Sequence, residues 1–420
     1  MSKKESYKKL FKQTFLFFLV TVFIFVPLVG IKLLGWKYSL RIPNALFLIF
    51  GLTVIRFMIG VINLTPRLRG PFRKVFSQVS YLPHVAPTSI SQRKKSLLFL
   101  VIALSFVLPF VIEQYWLSVM ITALIYVMLS LGLNIVIGFA GLLDLGYVAF
   151  FAVGAYGVAL LHHFFQIDFW LAMPIAAFLA MLVGGLLAFP VLRMHGDYLA
   201  IVTLGFGEII RLLLNNWTEF TRGPNGVILP RPYISFFGIP FDKNSPNSFH
   251  NLLGIEYSLS HKSIFLYLCL LLIVIAVTYF CLRLKKMPLG RSWEALREDE
   301  IACRSMGINH VTIKLFAFGL GAFFGGIGGG FFAALTEFVS PSSFTFIESA
   351  LVVSIVVLGG LGSIPGVIIA AVVMTLLPEV LRDIANVRVL MFGVVMVVMM
   401  IWRPRGLTRV LRPRFNKTSK

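Results

Sequence analysis

Few side chains in this sequence are able to do chemistry, and they are scattered. The seven histidines are His84, His162, His163, His195, His250, His261 and His310, and none falls into an HxxxH or HExxH pattern or beside a cysteine at metal-ligand spacing. Cys269, Cys281 and Cys303 form neither an even-numbered framework nor a metal-type cluster, and read as small apolar residues. No metal ligand set and no catalytic residue is assigned. A serine-hydrolase elbow is missing. So is the phosphate-cradling loop, because no Gly-Lys dipeptide occurs anywhere in the chain.

Charges inside apolar runs stand out instead, since each costs ~2.5–3.5 kcal/mol at the centre of a membrane helix. Glu208 and Arg211 lie three residues apart, hence on one helical face, where they neutralise each other. A packing pair against the bundle interior and a contact for a passing solute both fit. Asp144 sits in Gly138-Phe-Ala-Gly-Leu-Leu-Asp-Leu-Gly146, where Gly141 and Gly146 interrupt the apolar period. Glycine-flanked helix breaks line solute paths in transporters, and a turn between spans uses the same residues. A second break runs from Gly359 to Gly366 through Gly362 and Pro365. Breaks at membrane depth require protein or water partners for the freed backbone, which favours a translocating protein over a passive anchor.

The elements that position these residues are membrane helices. The 420 residues are 58% hydrophobic and 13% charged, against ~45–50% apolar and ~25% charged in soluble domains. With ~20 apolar residues per span, the expected fold is an all-α integral membrane protein, a polytopic helical bundle of about ten to twelve segments. The expected spans are 14–34, 43–62, 97–112, 115–138, 143–165, 169–192, 198–214, 264–284, 313–335, 346–359, 366–381 and 389–402. The initial lysines and the first apolar run read as a retained span, since no small-residue cleavage site follows.

The net charge of +21 is concentrated in a few loops rather than spread as a nucleic-acid footprint, so no nucleic acid is expected. Residues 67–95, the 283–314 loop and the tail after Arg403 are basic, whereas 215–262 is nearly balanced. The positive-inside rule then places both termini and the 283–314 loop in the cytoplasm and 215–262 outside. The stretch from Tyr233 to His261, rich in Pro, Asn and Ser, reads as a docking surface or a connector.

The glycines from Gly319 to Gly330 lie inside an apolar run without a preceding strand. Their spacings Gly321/Gly325 and Gly326/Gly330 predict close helix–helix packing rather than a phosphate site. If transport is ATP-driven, another chain must bind the nucleotide. The 285–312 loop predicts one helix from Ser292 to Met306, stopped by Gly307, with Ser292 able to cap it. Leu296, Ile301, Ala302 and Cys303 give it an apolar face, for docking on a partner or for lying on the membrane.

In this loop Glu300-Ile-Ala-Cys-Arg-Ser-Met-Gly307 resembles the EAA-type motif of permease subunits of bacterial ABC importers. Four further stretches resemble the branched-chain amino acid permease family: Gly141 to Tyr156, Gly196 to Arg211, Thr221-Arg-Gly-Pro-Asn-Gly226, and Gly359 to Gly366. They cover about residues 110–405 in the family order. Asp144 departs from the small hydroxyl residue expected there. The segment before residue 95 resembles the N-terminal extension of the M-type subunit of leucine/isoleucine/valine systems.

The resemblance implies three regions: a two-span extension (1–95), an ABC-importer-type permease domain (96–405) and a basic cytoplasmic tail (406–420). It implies a coupling helix carrying Glu294, Glu300, Ala302, Arg304 and Gly307. It further implies a homologous second permease, two cytoplasmic ATPase subunits that bind ATP and magnesium, and a periplasmic amino-acid-binding protein, in the bacterial inner membrane. This chain would bind no cofactor and catalyse no reaction. The rival expectations are a urea or short-amide permease of the same family and a stand-alone secondary transporter.

Overall fold

The structure is a computed structural model. It describes residues 31–34, 37–40, 103–191, 194, 197–230, 234–236, 239–240, 259–380, 393 and 406–407. The chain divides into two compact units, Met1–Gln92 with Ile384–Val387 and Arg93–Asp383 with Arg388–Lys420. In the first, strands β1 (Ile31–Leu34) and β2 (Lys37–Leu40) form an antiparallel hairpin with Ile31 opposite Leu40. The expected first span therefore stops short of Leu34. Its last four residues are strand, their backbone paired with Lys37–Leu40 rather than wound into helix. The rest of that span, the 43–62 span and nearly all of the 389–402 span lie outside the described residues.

The second unit is helical. Its long helices are α1 (Gln114–Leu133), α2 (Val148–Phe165), α3 (Phe169–Val191), α4 (Asp197–Asn216) and α5 (Leu259–Leu284). Two short helices, α6 (Pro288–Glu298) and α7 (Glu300–Ser305), precede α8 (His310–Thr336). The unit closes with α9 (Phe346–Gly359) and α10 (Ile364–Val380). Among the described residues seven helices are long and apolar enough to cross a membrane, and Ile364–Glu379 forms a shorter apolar one. Helices suit this composition because they satisfy their own backbone, which lipid cannot do.

Helix α8 is the hub. It packs on α1, α2 and α3, and 72% of its most apolar stretch is buried, against 22% for α4. Glycine makes this possible. A Cβ on Gly154 would stand 2.3 Å from the Gly326 carbonyl oxygen, and one on Gly326 would stand 2.8 Å from the Ala177 Cα. Backbones of α2, α3 and α8 thus touch, the arrangement small-residue spacing allows in lipid. The four expected packing glycines differ in kind. Gly321 faces Val136 and the Gly132 carbonyl, Gly325 faces Phe150 and Tyr147, and Gly330 meets only the side chains of Met173 and Val158. Gly154 and Gly329, the second lying against the Phe151 carbonyl and the Ala155 amide, are just as tight and escaped the spacing argument because their partners are remote in sequence.

The 143–165 span is corrected at its start: helix begins only at Val148. Residues 140–147 are instead a non-helical climb from the end of α1 to the middle of the bundle, where the Tyr147 hydroxyl donates to the Gly321 carbonyl (2.8 Å). Gly321 lies eleven residues into α8, ~16 Å along its axis from His310. The chain after α8 behaves likewise. Residues 337–345 hold the short strand β6 (Phe338–Val339), paired with β3 (Val227–Ile228). Helix α9 then opens beside the first break, its Ser349 hydroxyl donating to the Leu145 carbonyl (2.5 Å). Helices α2 and α9 thus start in the interior and run in opposite directions.

Of the polar stretch from Tyr233 to His261, the described part before α5 holds a small antiparallel hairpin, β4 (Ser235–Phe236) and β5 (Ile239–Pro240). Thr221 folds back on the end of α4, its hydroxyl donating to the Leu214 carbonyl (2.6 Å).

Candidate functional site

Three groups of residues meet at the end of the bundle where α1 finishes and α8 begins. The first is the break after α1. The last turn of α1 widens into a π-helical stretch, Asn134–Phe139, which frees carbonyls and leaves the buried Asn134 side chain pointing across the bundle. Gly141 has φ +73°, open to glycine without strain, and turns the chain upward. Asp144 is wholly buried: its Oδ1 accepts the Gly146 amide (2.9 Å), an Asx turn that shapes the climb. Its Oδ2 makes no direct hydrogen bond of ordinary geometry among the described residues. Gly146 lies against α4, where a Cβ would strike the Thr203 carbonyl, and a Cβ on Gly207 of α4 would stand 3.1 Å from the Gly146 Cα. The Leu145 amide donates to the Thr203 hydroxyl (3.0 Å). Neighbouring helices satisfy this interrupted backbone, as membrane depth demands.

The second group is the turn between α9 and α10. Gly360 and Gly362 take positive φ values of 103° and 79°. The Gly362 amide donates to Asn134 Oδ1 (2.9 Å), tying this turn to the first break. Gly359 sits against the Val367 backbone, Pro365 is exposed, and Ser363 caps α10 by accepting the Gly366 amide (3.3 Å). The Leu407 amide donates to the Leu358 carbonyl (2.9 Å), so residue 407 lies at this end.

The third group is the loop helices, where the single helix expected from Ser292 to Met306 proves to be two. Asp299 is extended (φ −159°) and its carboxylate accepts the amides of Ile301 (2.8 Å) and Ala302 (3.0 Å), so it caps a new helix, α7. Ser292 is not a cap. It lies inside α6, which starts at Pro288, a residue whose fixed φ suits the first helical position. Trp293, fully buried, donates from its indole to the Ile313 carbonyl (2.9 Å) and roots α6 on α8. Glu300 accepts from buried Lys314 through both oxygens (2.9 Å each) and from Arg304 (2.8 Å), rooting α7 on the same helix. Gly307 ends α7 with φ +78°. Its amide donates to the Arg304 carbonyl (3.0 Å) and the Ile308 amide to the Cys303 carbonyl (3.1 Å), a Schellman stop.

The expected apolar face splits. Leu296 and Cys303 turn inward and are buried, while Ile301 (78% exposed) and Met306 (81%) point away from the bundle. Ala302 is exposed with them. Glu294 sits 3.8 Å from Lys285, itself half-buried between the Phe139 ring and the Gly362 carbonyl (3.3 Å). Burial pushes the Lys285 ammonium below the ordinary lysine range, opposed by Glu294 and reinforced by Arg297.

Glu208 and Arg211 do pair, with Arg211 Nε 3.0 and 3.1 Å from the two carboxylate oxygens. Of the two placements left open for them, packing against the bundle interior is not what the structure gives: they lie on the outward face of α4 with side chains 42% and 30% exposed. Residues that sequence reasoning missed are Asn134, Thr203, Trp293, Arg297 and Lys314. Each acts through a partner distant in the chain, so no local spacing announces it. Among the described residues no group of three or more His, Cys, Asp or Glu is placed to hold a metal.

Residues 115–402 match the family model described as branched-chain amino acid transport system / permease component. The chain belongs to this family. Accordingly it is a multi-pass membrane permease, a transport component and not an enzyme. The permease is similar to the high-affinity branched-chain amino acid transport system permease protein LivM of Escherichia coli, 48% identical over 354 residues and 83% of each chain. It is similar to the protein of the same name from Salmonella typhimurium at 47% over 361 residues, 84% of each chain. A probable branched-chain amino acid transport permease protein LivM of Methanocaldococcus jannaschii is 24% identical over 332 residues, 67% of this chain and 90% of that one. No solved structure matches.

Proposed function

We propose that this permease is one subunit of an ATP-binding-cassette importer that moves leucine, isoleucine and valine across a bacterial inner membrane. Its partners are a homologous second permease, two cytoplasmic ATPase subunits and a periplasmic amino-acid-binding protein. ATP and magnesium are bound by the ATPases. The observation that carries this reading is the outward apolar trio Ile301, Ala302 and Met306 on a helix that is capped, ion-paired and stopped so as to hold it rigidly. A rooted helix offering large apolar side chains beyond the bundle suits a groove on a partner protein. The basic loop that carries it returns to the same end as Leu407, just before the basic tail, which supports a cytoplasmic orientation for that end. The names of the relatives support the substrate class.

The transport path is assigned to the outward face of α4. A charged pair there is costly against lipid and acceptable against water or a second permease. Behind that face stands the first break, held to α4 at Leu145 and Gly146 and tied by Asn134 to the second, and both move as the path opens to alternate sides.

Reconstitution of the permease with its partners in proteoliposomes tests the reading. Leucine uptake should require ATP, stop with vanadate, persist with ionophores, and be competed by isoleucine and valine but not urea. Urea competition would move the substrate to the short amides, and ionophore-sensitive uptake without ATP would make the chain a stand-alone transporter. Gly307→Pro should abolish uptake with the chain still inserted, because proline cannot adopt φ +78° and lacks the amide that closes the stop. For the path, Glu208→Cys should react with a membrane-impermeant thiol reagent, faster or slower according to the nucleotide bound. Unreactivity in every nucleotide state would place α4 against lipid.

A further inference from the structure

Resting on that importer reading, we propose that Arg297 is the positioning residue through which movement of α6 reaches both helix breaks at once. Arg297 lies on α6, one turn after Trp293 and on the side facing the ends of α1 and α9. Its guanidinium donates from Nη1 to the Gly138 carbonyl, which the π-helical end of α1 leaves free. Its aliphatic stem packs on Gly141, where a Cβ would stand 2.7 Å from Cγ and 3.1 Å from Cβ of the arginine. The same Nη1 lies beside the second break, 3.3 Å from where a Cβ on Gly362 would be. Gly362 is held in turn by Asn134 and by Lys285. One side chain of the loop helix therefore holds the first break at two points and stands beside the second, and the two breaks are bonded to each other.

Physics gives this contact a direction of transmission. Trp293 and Glu300 root α6 and α7 on α8, a long helix whose backbone is locked against α2 and α3. A displacement of the loop helices passed only through α8 would have to move that packed core. Through Arg297 it meets first the turns at Gly141 and Gly362, both glycines at positive φ, which can rotate without prising those backbones apart. Arginine suits the task because its planar, multi-donor head holds a carbonyl while its stem fills a glycine-lined groove. Lysine offers a single point charge on a similar stem.

The test uses the complete complex in proteoliposomes, with leucine uptake and ATP hydrolysis measured in the same vesicles for wild type, Arg297→Lys and Arg297→Met. The methionine variant should retain its ATPase subunits and hydrolyse ATP, while leucine moved per ATP falls tenfold or more. The lysine variant should recover part of that ratio. A second readout separates transmission from plain structure: ATP should change hydrogen exchange at residues 138–147 and 359–366 in wild type, and that response should vanish in Arg297→Met. A methionine variant with the wild-type ratio would overturn the proposal, as would a proportional loss of uptake and hydrolysis with the exchange response intact. Wild-type complexes lacking ATP-driven uptake would overturn the importer reading itself, and the proposal with it.

Discussion

Glu300→Ala is expected to destabilise the permease by about 3 kcal/mol, the low end of the range for breaking a buried ion pair. The reason lies on the other side of the pair. Lys314 is 1% exposed and its ammonium is held by both Glu300 oxygens, so removing the acid strands a charge in the protein. Glu300 itself keeps 19% exposure, which lets some water reach the site and holds the penalty to that low end. The measurement is thermal unfolding in detergent, completed as a double-mutant cycle. Lys314→Met alone should cost less than Glu300→Ala, because a solvent-touched carboxylate tolerates solitude better than a buried ammonium, and Arg304 still engages it. The double variant should recover most of the loss. Its uptake should stay low, since α7 is then no longer rooted on α8. Full uptake in that stable double variant would remove the Glu300–Lys314 pair from the coupling route.

Gly154→Ala should be the more damaging change, costing ~3 kcal/mol or more, at or beyond the upper end of ordinary overpacking. The added methyl would meet three backbone atoms of Gly326 at 2.3–2.7 Å, and backbone cannot rotate aside as a side chain does. Gly326 cannot retreat, because Ala177 and Ala180 close it from α3. Folded yield on size exclusion and the melting temperature should both fall. Two controls sharpen the expectation. Gly330→Ala meets only the Met173 and Val158 side chains at 3.1–3.3 Å and should be far milder. Gly205→Ala meets nothing within 4 Å and should be neutral or slightly stabilising, as alanine is the better helix former by ~1 kcal/mol. Equal effects at all three positions would show that the α2–α8 contact is looser than its geometry.

These expectations rest on two levels of information. Composition and the length of apolar runs make this a helical membrane protein, since only helices and closed barrels satisfy their backbone in lipid. The same reading anticipates α9 at its full extent and α3, α4 and α8 to within a few residues, because their apolar runs end in turn formers or charges. Gly307 was legible for a local reason: a helix that must stop takes a glycine in the left-handed region. The family was legible too, through several separate stretches whose order along the chain is more specific than any one of them.

Contacts across the bundle were not legible, because they depend on which helix lies beside which. The late start of α2 follows from Tyr147, Leu145 and Gly146 finding partners on α8, α9 and α4, where hydropathy alone carries the span on through Asp144 and Gly146. The split between α6 and α7 turns on a local cap at Asp299, whereas helical propensity alone carries straight through it. Spacing announced Glu208 and Arg211 as a pair but not the side they face, because a helix in lipid shows its apolar residues inward and outward alike. Arg297 and Lys314 looked like two more charges of a basic loop. Only the tertiary structure makes one a bridge to two broken helices and the other a buried counter-ion, since it alone brings a freed carbonyl and the Glu300 carboxylate within their reach.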